Sequence, residues 1–399
     1  MVLFGKGEVL LPMRVALVHD YIREFGGAER VLKTLTEIYP KAPIYTSFSV
    51  KNSTAEKEFR GTRIIESFLA PILKLGKLYS PLRFMTPLVW GGFDLSKYDL
   101  VISSCSWYIT RGFKINPKTK VIAYCHTPPR WLYGYEASVF FTKYWPIRVY
   151  SAVVGHFIRM YDFNTAQKPK RKFKIQDRKT KIQAGVDYFI ANSKNVAARI
   201  KKFYRRNSVV IYPPVDTLHI LQHTSHIQKK ENYFLIVSRL VGAKGLEQAA
   251  KSFRHQSKYK LKIVGEAIGY SNFPEKLRKI GGGNIELVGH VSDDNLYDLY
   301  AKAKGFIALA KEEDFGMTVV ESMAAGTPVI AFNGGGFKET VIDGVTGLLI
   351  EKTDEKTLKK VIEKFDKINW DRKVIQNHAR KFSKERFKKE MLRFIKKYA

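Results

Sequence analysis

Two hydrophobic rhythms alternate along the chain. Short apolar runs occur at Arg14–His19, Asp99–Ser103, Lys120–Cys125, Asp187–Asn192, Val209–Tyr212, Tyr233–Ser238, Lys260–Gly265, Ile285–Gly289, Gly305–Leu309, Pro328–Phe332 and Gly347–Ile350. Such runs read as strands buried on both faces of a parallel sheet. Most intervening stretches carry apolar residues three and four apart, as at Val31, Leu32, Leu35 and Ile38, a spacing that lines one side of a helix. Strand and helix in alternation predict an α/β fold. The rhythm breaks near Tyr212–Asp216, where two prolines lead into a polar segment reaching about Asn232. That break predicts two doubly wound, Rossmann-like domains, 1–212 and 233–382, joined by a linker over 213–232. Residues 383–399 carry Phe387, Met391, Leu392 and Ile395 on one side and predict a basic amphipathic helix.

One strand-loop-helix unit, from Ala308 to Ile330, concentrates acids at its mouth. A strand ending at Leu309 leads into a polar loop, a helix predicted over Thr318–Ala325, a glycine stop at Gly326 and a strand opening at Pro328. In open parallel sheets ligands gather beyond the carboxyl ends of the strands, and a helix N-terminus attracts phosphate. Glu313 on the loop and Glu321 one turn into the helix stand eight residues apart, with Phe315, Gly316, Met317 and Thr318 between them. Two carboxylates separated by a row of amides suit a sugar joined through a diphosphate to a ribose. Acids near a helix start also serve as caps.

Three further strand ends carry polar groups. Gly26 and Gly27 follow the first strand and open a helix, where bare amides can face a phosphate or simply form a turn. Ser238–Gly245 follows another strand, with Arg239 and Lys244 five apart, close enough to converge on one diphosphate. His126 ends the run 120–125 and precedes Thr127, Pro128, Pro129 and Arg130, which sets it at a cleft edge rather than in a core.

Composition narrows the class. The 399 residues, 45% hydrophobic and 13% aromatic, suffice for two cores. Cys105 and Cys125 lie at or beside predicted buried strands with no metal-ligand spacing, and read as free thiols in a reducing compartment. Residues 1–12 form an extension with no assigned function and no apolar core of signal-peptide length; no run of eighteen apolar residues occurs. A cytoplasmic protein, soluble or peripheral at the inner face of the cell membrane, is expected. Lys and Arg outnumber Asp and Glu 69 to 37, a formal net charge of +32, which raises nucleic acid, an anionic membrane and anionic substrates as partners. No helix-turn-helix, zinc finger or aromatic RNA-binding signature accompanies the charge, so no nucleic-acid partner is expected. Between Lys168 and Arg206 fourteen Lys or Arg face only Asp177 and Asp187. Its first part, 168–185, reads either as a solvated loop or as a contact for anionic head groups. Phe68–Phe93 mixes Leu, Phe and Trp with Lys74, Lys77 and Arg83, and reads either as core or cleft packing or as an interfacial segment.

The string Glu-Asp-Phe-Gly-x-Thr-x-x-Glu-x-Met-Ala-x-Gly-x-Pro-Val-Ile from Glu313 to Ile330, followed by Gly334–Gly336, Glu339 and Asp343–Gly347, closely resembles the signature of the retaining GT-B glycosyltransferases of family 4, the glycosyl transferases group 1. The resemblance covers nearly all of residues 13–399 and implies the GT-B fold, two Rossmann-like domains facing across a cleft. It assigns Glu313 to the donor sugar and Glu321 to the ribose, and gives Gly26 and Gly27 the donor diphosphate or the acceptor. Arg239 and Lys244 match the family's Arg-x-x-x-x-Lys-Gly loop for the pyrophosphate. Gly265 and Val291 match loops that line the nucleotide, and Phe315–Thr318 the donor-binding turn. The loop around His126 resembles that of mannosyltransferase-like members, whose histidine sits near the transferred sugar; Arg130 becomes an acceptor-side candidate. The closing helix is expected to cross back to the first domain, and the basic stretch 168–185 stands as an insertion, since family members join the flanking helix and strand more directly. Val319 departs from the proline common in mannosyltransferase-like relatives.

These parts imply a metal-independent, retaining hexosyltransferase without cofactor, using a nucleotide sugar, first guess GDP-mannose, and a glycan or lipid-linked acceptor in polysaccharide biosynthesis. Fixed cations and amides at the diphosphate would take the place of a metal, and no Asp-x-Asp motif occurs. A nucleotide-sugar-binding protein without turnover, or a basic nucleic-acid-binding protein on this fold, stand as alternatives.

Overall fold

The computed structural model describes residues 13–75, 81–106, 108–135, 145–171, 180–254, 258–267 and 272–398. The extension 1–12 and residues 172–179 of the basic insertion lie outside the described residues. Fifteen strands are described, β1 (Val15–His19), β2 (Ile44–Thr46), β3 (Ile64–Glu66), β4 (Leu100–Cys105), β5 (Lys114–Ile115), β6 (Lys120–Cys125), β7 (Ile182–Gln183), β8 (Tyr188–Ala191), β9 (Ser208–Val210), β10 (Tyr233–Val237), β11 (Lys260–Val264), β12 (Ile285–Gly289), β13 (Gly305–Ala308), β14 (Val329–Phe332) and β15 (Gly347–Ile350). They form a seven-stranded sheet ordered β3-β2-β1-β4-β6-β8-β9 and a six-stranded sheet ordered β12-β11-β10-β13-β14-β15. Every pairing in both is parallel. β5 and β7 make a small antiparallel ribbon.

Parallel strands covered by helices on both faces account for the continuous apolar runs. In the second sheet Phe234, Ile236 and Ile263 pack toward the helix Leu246–Phe253, while Leu235, Phe306 and Ala331 pack toward the helix Met317–Ala324. The eleven runs all become strands, shifted by a residue or two at their ends. β2 and β3 escape the pattern because three residues are too few to establish a rhythm; they extend one edge of the first sheet.

Residues 213–232 are not the bare linker that the prolines and polar residues suggest. Asp216 caps a helix, Thr217–Thr224, by accepting from the amide of His219. Val215, Ile220 and Ile227 are buried in the core of the second domain. Eight residues rich in His and Thr hide that periodicity. The helix Lys384–Tyr398 lays Phe387, Met391, Phe394 and Ile395 into the core formed around β1, β4 and the helix Gly27–Ile38. Glu37 on that helix meets Lys384 at 2.8 Å and Lys388 at 2.7 Å. Among the described residues no helix is long and apolar enough to cross a membrane.

Candidate active site

Strand order reverses between β10 and β13 in the second sheet, because β10 has β11 on one side and β13 on the other. Chain leaving neighbouring strands at such a point diverges and opens a crevice. The two loops that flank it are Ser238–Gly245 and Leu309–Gly316. They meet at an ion pair, Lys244 Nζ to Glu313 Oε2 at 2.6 Å. Burial pushes the Glu313 carboxyl up, but Lys244 together with Arg130 and Arg239 outweighs it and holds the group below its usual range. Arg239 is exposed at the mouth.

Beneath Glu313 the chain is fixed by its carbonyl, which accepts from the Gly336 amide at 2.9 Å and from Asn195 Nδ2 at 3.3 Å. A Cβ at Gly336 would stand 2.4 Å from Cα of Phe315, so the glycine triplet is what lets the two loops touch. The helix begins at Met317, one residue earlier than predicted; the amides of Met317 and Thr318 precede the first one that turns back onto the helix start, that of Val319, which donates to the Gly316 carbonyl at 3.1 Å. Met317 and Thr318 lie partly exposed there. The Phe315 ring is committed elsewhere, buried and stacked on Tyr212 with centroids 5.5 Å apart, so its backbone is what it presents to the cleft. Glu321 is 6% exposed and accepts from the Tyr300 hydroxyl at 2.9 Å. Burial raises its pKa against the opposing pull of Arg30. Gly265 has φ +134°, and a Cβ there would strike the carbonyl of Ser238 at 2.0 Å, which seats the end of β11 directly under the basic loop. Val291 is half-buried against the same domain's core.

The first domain presents its own reversal point, between β1 and β4. Gly26 caps the helix Gly27–Ile38, but its amide does not face the cleft bare: it donates to Glu29 Oε2 at 3.0 Å. Gly27 is the point of close approach, since a Cβ there would lie 3.1 Å from Sδ of Met317 in the opposite domain. Glu29 also reaches His19, Oε1 to Nε2 at 3.4 Å; His19 Nδ1 lies 3.0 Å from Ser104 Oγ, and Ser104 Oγ 2.8 Å from His126 Nε2. A carboxylate only accepts, so His19 Nε2 carries the proton and Nδ1 accepts from Ser104. The Ser104 oxygen then accepts from His126 Nε2–H, which leaves His126 Nδ1 with the lone pair. His126 is 8% exposed, not at an open edge as its strand-end position suggests. Burial pushes its pKa down to about 3.

Charged contacts bolt the halves together. Arg130, expected toward an acceptor, instead pairs with Asp314 across the cleft at 2.6 Å. Arg199, 5% exposed, holds Asp314 at 2.7 Å, Glu312 at 2.5 Å and the Thr127 hydroxyl at 3.2 Å. The loops bearing His126 and Glu313 therefore share one guanidinium. Glu339 accepts from the amides of Lys194 at 2.8 Å and Asn195 at 2.9 Å, where a first-domain helix begins. Arg30 forks onto Asp293 at 2.9 and 3.2 Å. Arg199, Glu312, Asp314 and the His19–Ser104 link are not singled out by sequence reasoning. Arg199 is hidden in a run of fourteen cations, two more of which are also structural: Arg171 pairs with Asp187, and Arg206 donates to the carbonyls of Ala166, Val186 and Asp187.

Comparison with known proteins bears on this geometry. Residues 25–218 match the family model described as Glycosyltransferase Family 4, and residues 221–382 the model described as Glycosyl transferases group 1. An uncharacterized glycosyltransferase of Methanocaldococcus jannaschii is 29% identical over 199 residues, 50% of this chain and 55% of that protein. The capsular polysaccharide biosynthesis glycosyltransferase CapM of Staphylococcus aureus is 28% identical over 179 residues, 43% of this chain and 47% of that protein. The matched stretches thus span about half the length of these relatives. Among solved structures, Anabaena HepE in complex with UDP-glucose superposes with a TM-score of 0.64 at 16% identity, covering 96% of this chain and 99% of that one. That likeness shows the shared GT-B fold.

Proposed function

Because the chain belongs to the group 1, family 4 glycosyltransferases, we propose that it transfers a hexose from a nucleoside-diphosphate sugar to a glycan or lipid-linked acceptor, with retention at the anomeric carbon. The observation that carries this reading is the meeting of Lys244 and Glu313 at the β10/β13 reversal, with Arg239 beside them and the amides of Gly316–Thr318 behind. Cations and amides at that point face the diphosphate, Glu313 orients the sugar hydroxyls, and Glu321 takes the ribose.

As the bond from anomeric carbon to phosphate oxygen breaks, its electron pair stays on the diphosphate. Arg239 and Lys244 meet that charge, and fixed cations in a water-poor cleft lower the barrier most where charge develops. The acceptor hydroxyl bonds to the anomeric carbon from the same face, and its proton passes to the departing phosphate oxygen. The lone pair on neutral His126 Nδ1 accepts a hydrogen bond from the sugar across the cleft. Side-chain cations carry the neutralisation, so the scheme calls for no cofactor or metal. The residues that bridge the domains keep water from the donor.

GDP-mannose is the first donor to try, and UDP-glucose, present in the HepE complex, the second. The test is a panel of GDP- and UDP-sugars, scored by thermal shift and by slow release of nucleoside diphosphate. A donor that stabilises the wild type and is hydrolysed by it, but not by Glu313→Ala, identifies the sugar. Stabilisation without turnover, with any acceptor, returns the protein to a binding role. No shift with any donor removes the assignment.

A further inference from the structure

Large hydrophobic side chains that remain exposed are not scattered over this molecule. Of the sixteen among the described residues, eleven fall in two segments of the first domain, Phe68–Leu88 and Trp145–Met160. The first segment divides by face. Leu69, Ala70, Leu73, Val89 and Trp90 are core, whereas Phe68, Ile72, Leu75, Phe84 and Leu88 face out. The second is the helix Trp145–Ala166. Ile158, Asp162 and Ala166 anchor it inward, Asp162 by a buried ion pair with Arg111 and a 2.6 Å bond from the Tyr133 hydroxyl. Its other side carries Trp145, Val149, Val153 and Phe157 at every fourth position, 74, 54, 54 and 65% exposed. The Tyr150 hydroxyl donates to the Pro81 carbonyl at 2.9 Å, which sets the two segments side by side. At Met160 the stripe meets a cavity of about 310 Å³ whose walls include Tyr133, Phe203 and Arg159. Rings there suit an acyl segment and the guanidinium a phosphate.

We propose that this surface docks the protein on a bilayer of anionic phospholipid, with the helix Trp145–Ala166 lying in the interfacial plane. Contiguous exposed apolar area of this kind marks a binding surface, and charge decides the occupant. Ser67–Phe93 contains no acid, and the only acid of the helix is the buried Asp162. Arg148 is exposed among the apolar residues, and Lys168 and Lys170 are exposed just past the helix end; Lys74, also exposed there, is paired with Glu66 at 2.8 Å. A second copy would bring like charges together in a chain of net charge +32. An anionic surface would instead draw cations and accept rings at its head-group level. The inference gives the transferase reaction a location but does not depend on the donor assignment.

The experiment is co-sedimentation of the full chain with phosphatidylcholine vesicles, with and without phosphatidylglycerol, at low and high salt. Binding is expected only to the anionic vesicles, weakening with salt, with a blue shift in tryptophan emission as Trp145 enters the interface. The double variant Val153→Ser, Phe157→Ser should lower the bound fraction about tenfold. Arg148→Glu with Lys168→Glu should act similarly and lose most of the salt dependence. Both variants should keep the wild-type donor thermal shift and elution volume, which separates this test from the one above. Equal binding by wild type and variants, no binding to anionic vesicles, or a wild-type dimer that the variants dissociate would overturn the proposal, the last by assigning the surface to a second copy.

Discussion

Lys244 Nζ stands 2.6 Å from Oε2 of Glu313, so the cation expected at the diphosphate and the carboxylate expected at the sugar are held by each other. Each fixes the other's rotamer across the crevice between two loops. Replacing Lys244 with Ala should lower kcat by about 10²–10³-fold, the usual loss when one group facing developing charge is removed. The pH profile gives a second readout. Lys244 heads the cations that outweigh burial and keep the Glu313 carboxyl low. Without it burial dominates and the pKa rises, so the acid-side inflection of donor hydrolysis should move to higher pH in Lys244→Ala. An unmoved inflection would show that Glu313 does not govern it.

Arg199 sits at the junction of both domains with two carboxylates on one guanidinium. Arg199→Ala leaves Asp314, which burial already pushes above its ordinary pKa, with Arg130 as its remaining cation and releases Glu312. Hydrogen bonds to charged groups contribute about 1.5–3 kcal/mol, so urea denaturation should report a loss of that order. Lys201→Ala, two residues on and exposed, should stay within about 0.5 kcal/mol of wild type. Similar effects from the two would deny the bridge its role.

The link from Glu29 through His19 and Ser104 fixes which nitrogen of His126 is free. Ser104→Ala removes that constraint without touching the donor loops, and should lower kcat more than it raises KM. Ser104→Thr, which keeps the hydroxyl, should recover most of the rate. A pure KM effect, or no rescue, would contradict the tautomer assignment.

His126 also predicts a stability slope. Its folded pKa is about 3, against roughly 6.5 for an unperturbed imidazole. Below pH ~6.5 the unfolded chain therefore binds a proton that the folded one does not, and stability falls with pH down to about 3. The slope from this group approaches about 1.4 kcal/mol per pH unit. His126→Gln should flatten the curve in that window and leave it unchanged above pH ~7. An unaltered slope would place a protonated imidazole in the folded state.

Deleting residues 384–398 removes four buried apolar side chains from the first domain's core, Phe387, Met391, Phe394 and Ile395. At about 1.5–3 kcal/mol each, their loss should unfold the first domain or lower its melting temperature sharply. The second domain, whose cores contain none of the four, should keep its own transition in calorimetry.

Sequence alone determined the α/β class, the eleven principal strands, the closing helix and the loops at Glu313 and Lys244, because each rests on local pattern: apolar runs, helical spacing, or residues a few positions apart. It could not distinguish buried Arg199 and half-buried Arg206, both bonded to the protein, from the exposed cations of the same basic run, since burial depends on what arrives from elsewhere in the chain. It placed His126 at a cleft edge, whereas Ser104, more than twenty positions earlier, draws it inward. It read Arg130 as facing a substrate, whereas Asp314, 184 positions away, claims it. Local periodicity sets the elements. Partners far apart in sequence, brought together only when the two sheets face each other, decide which of the charges in those elements remain available to a ligand.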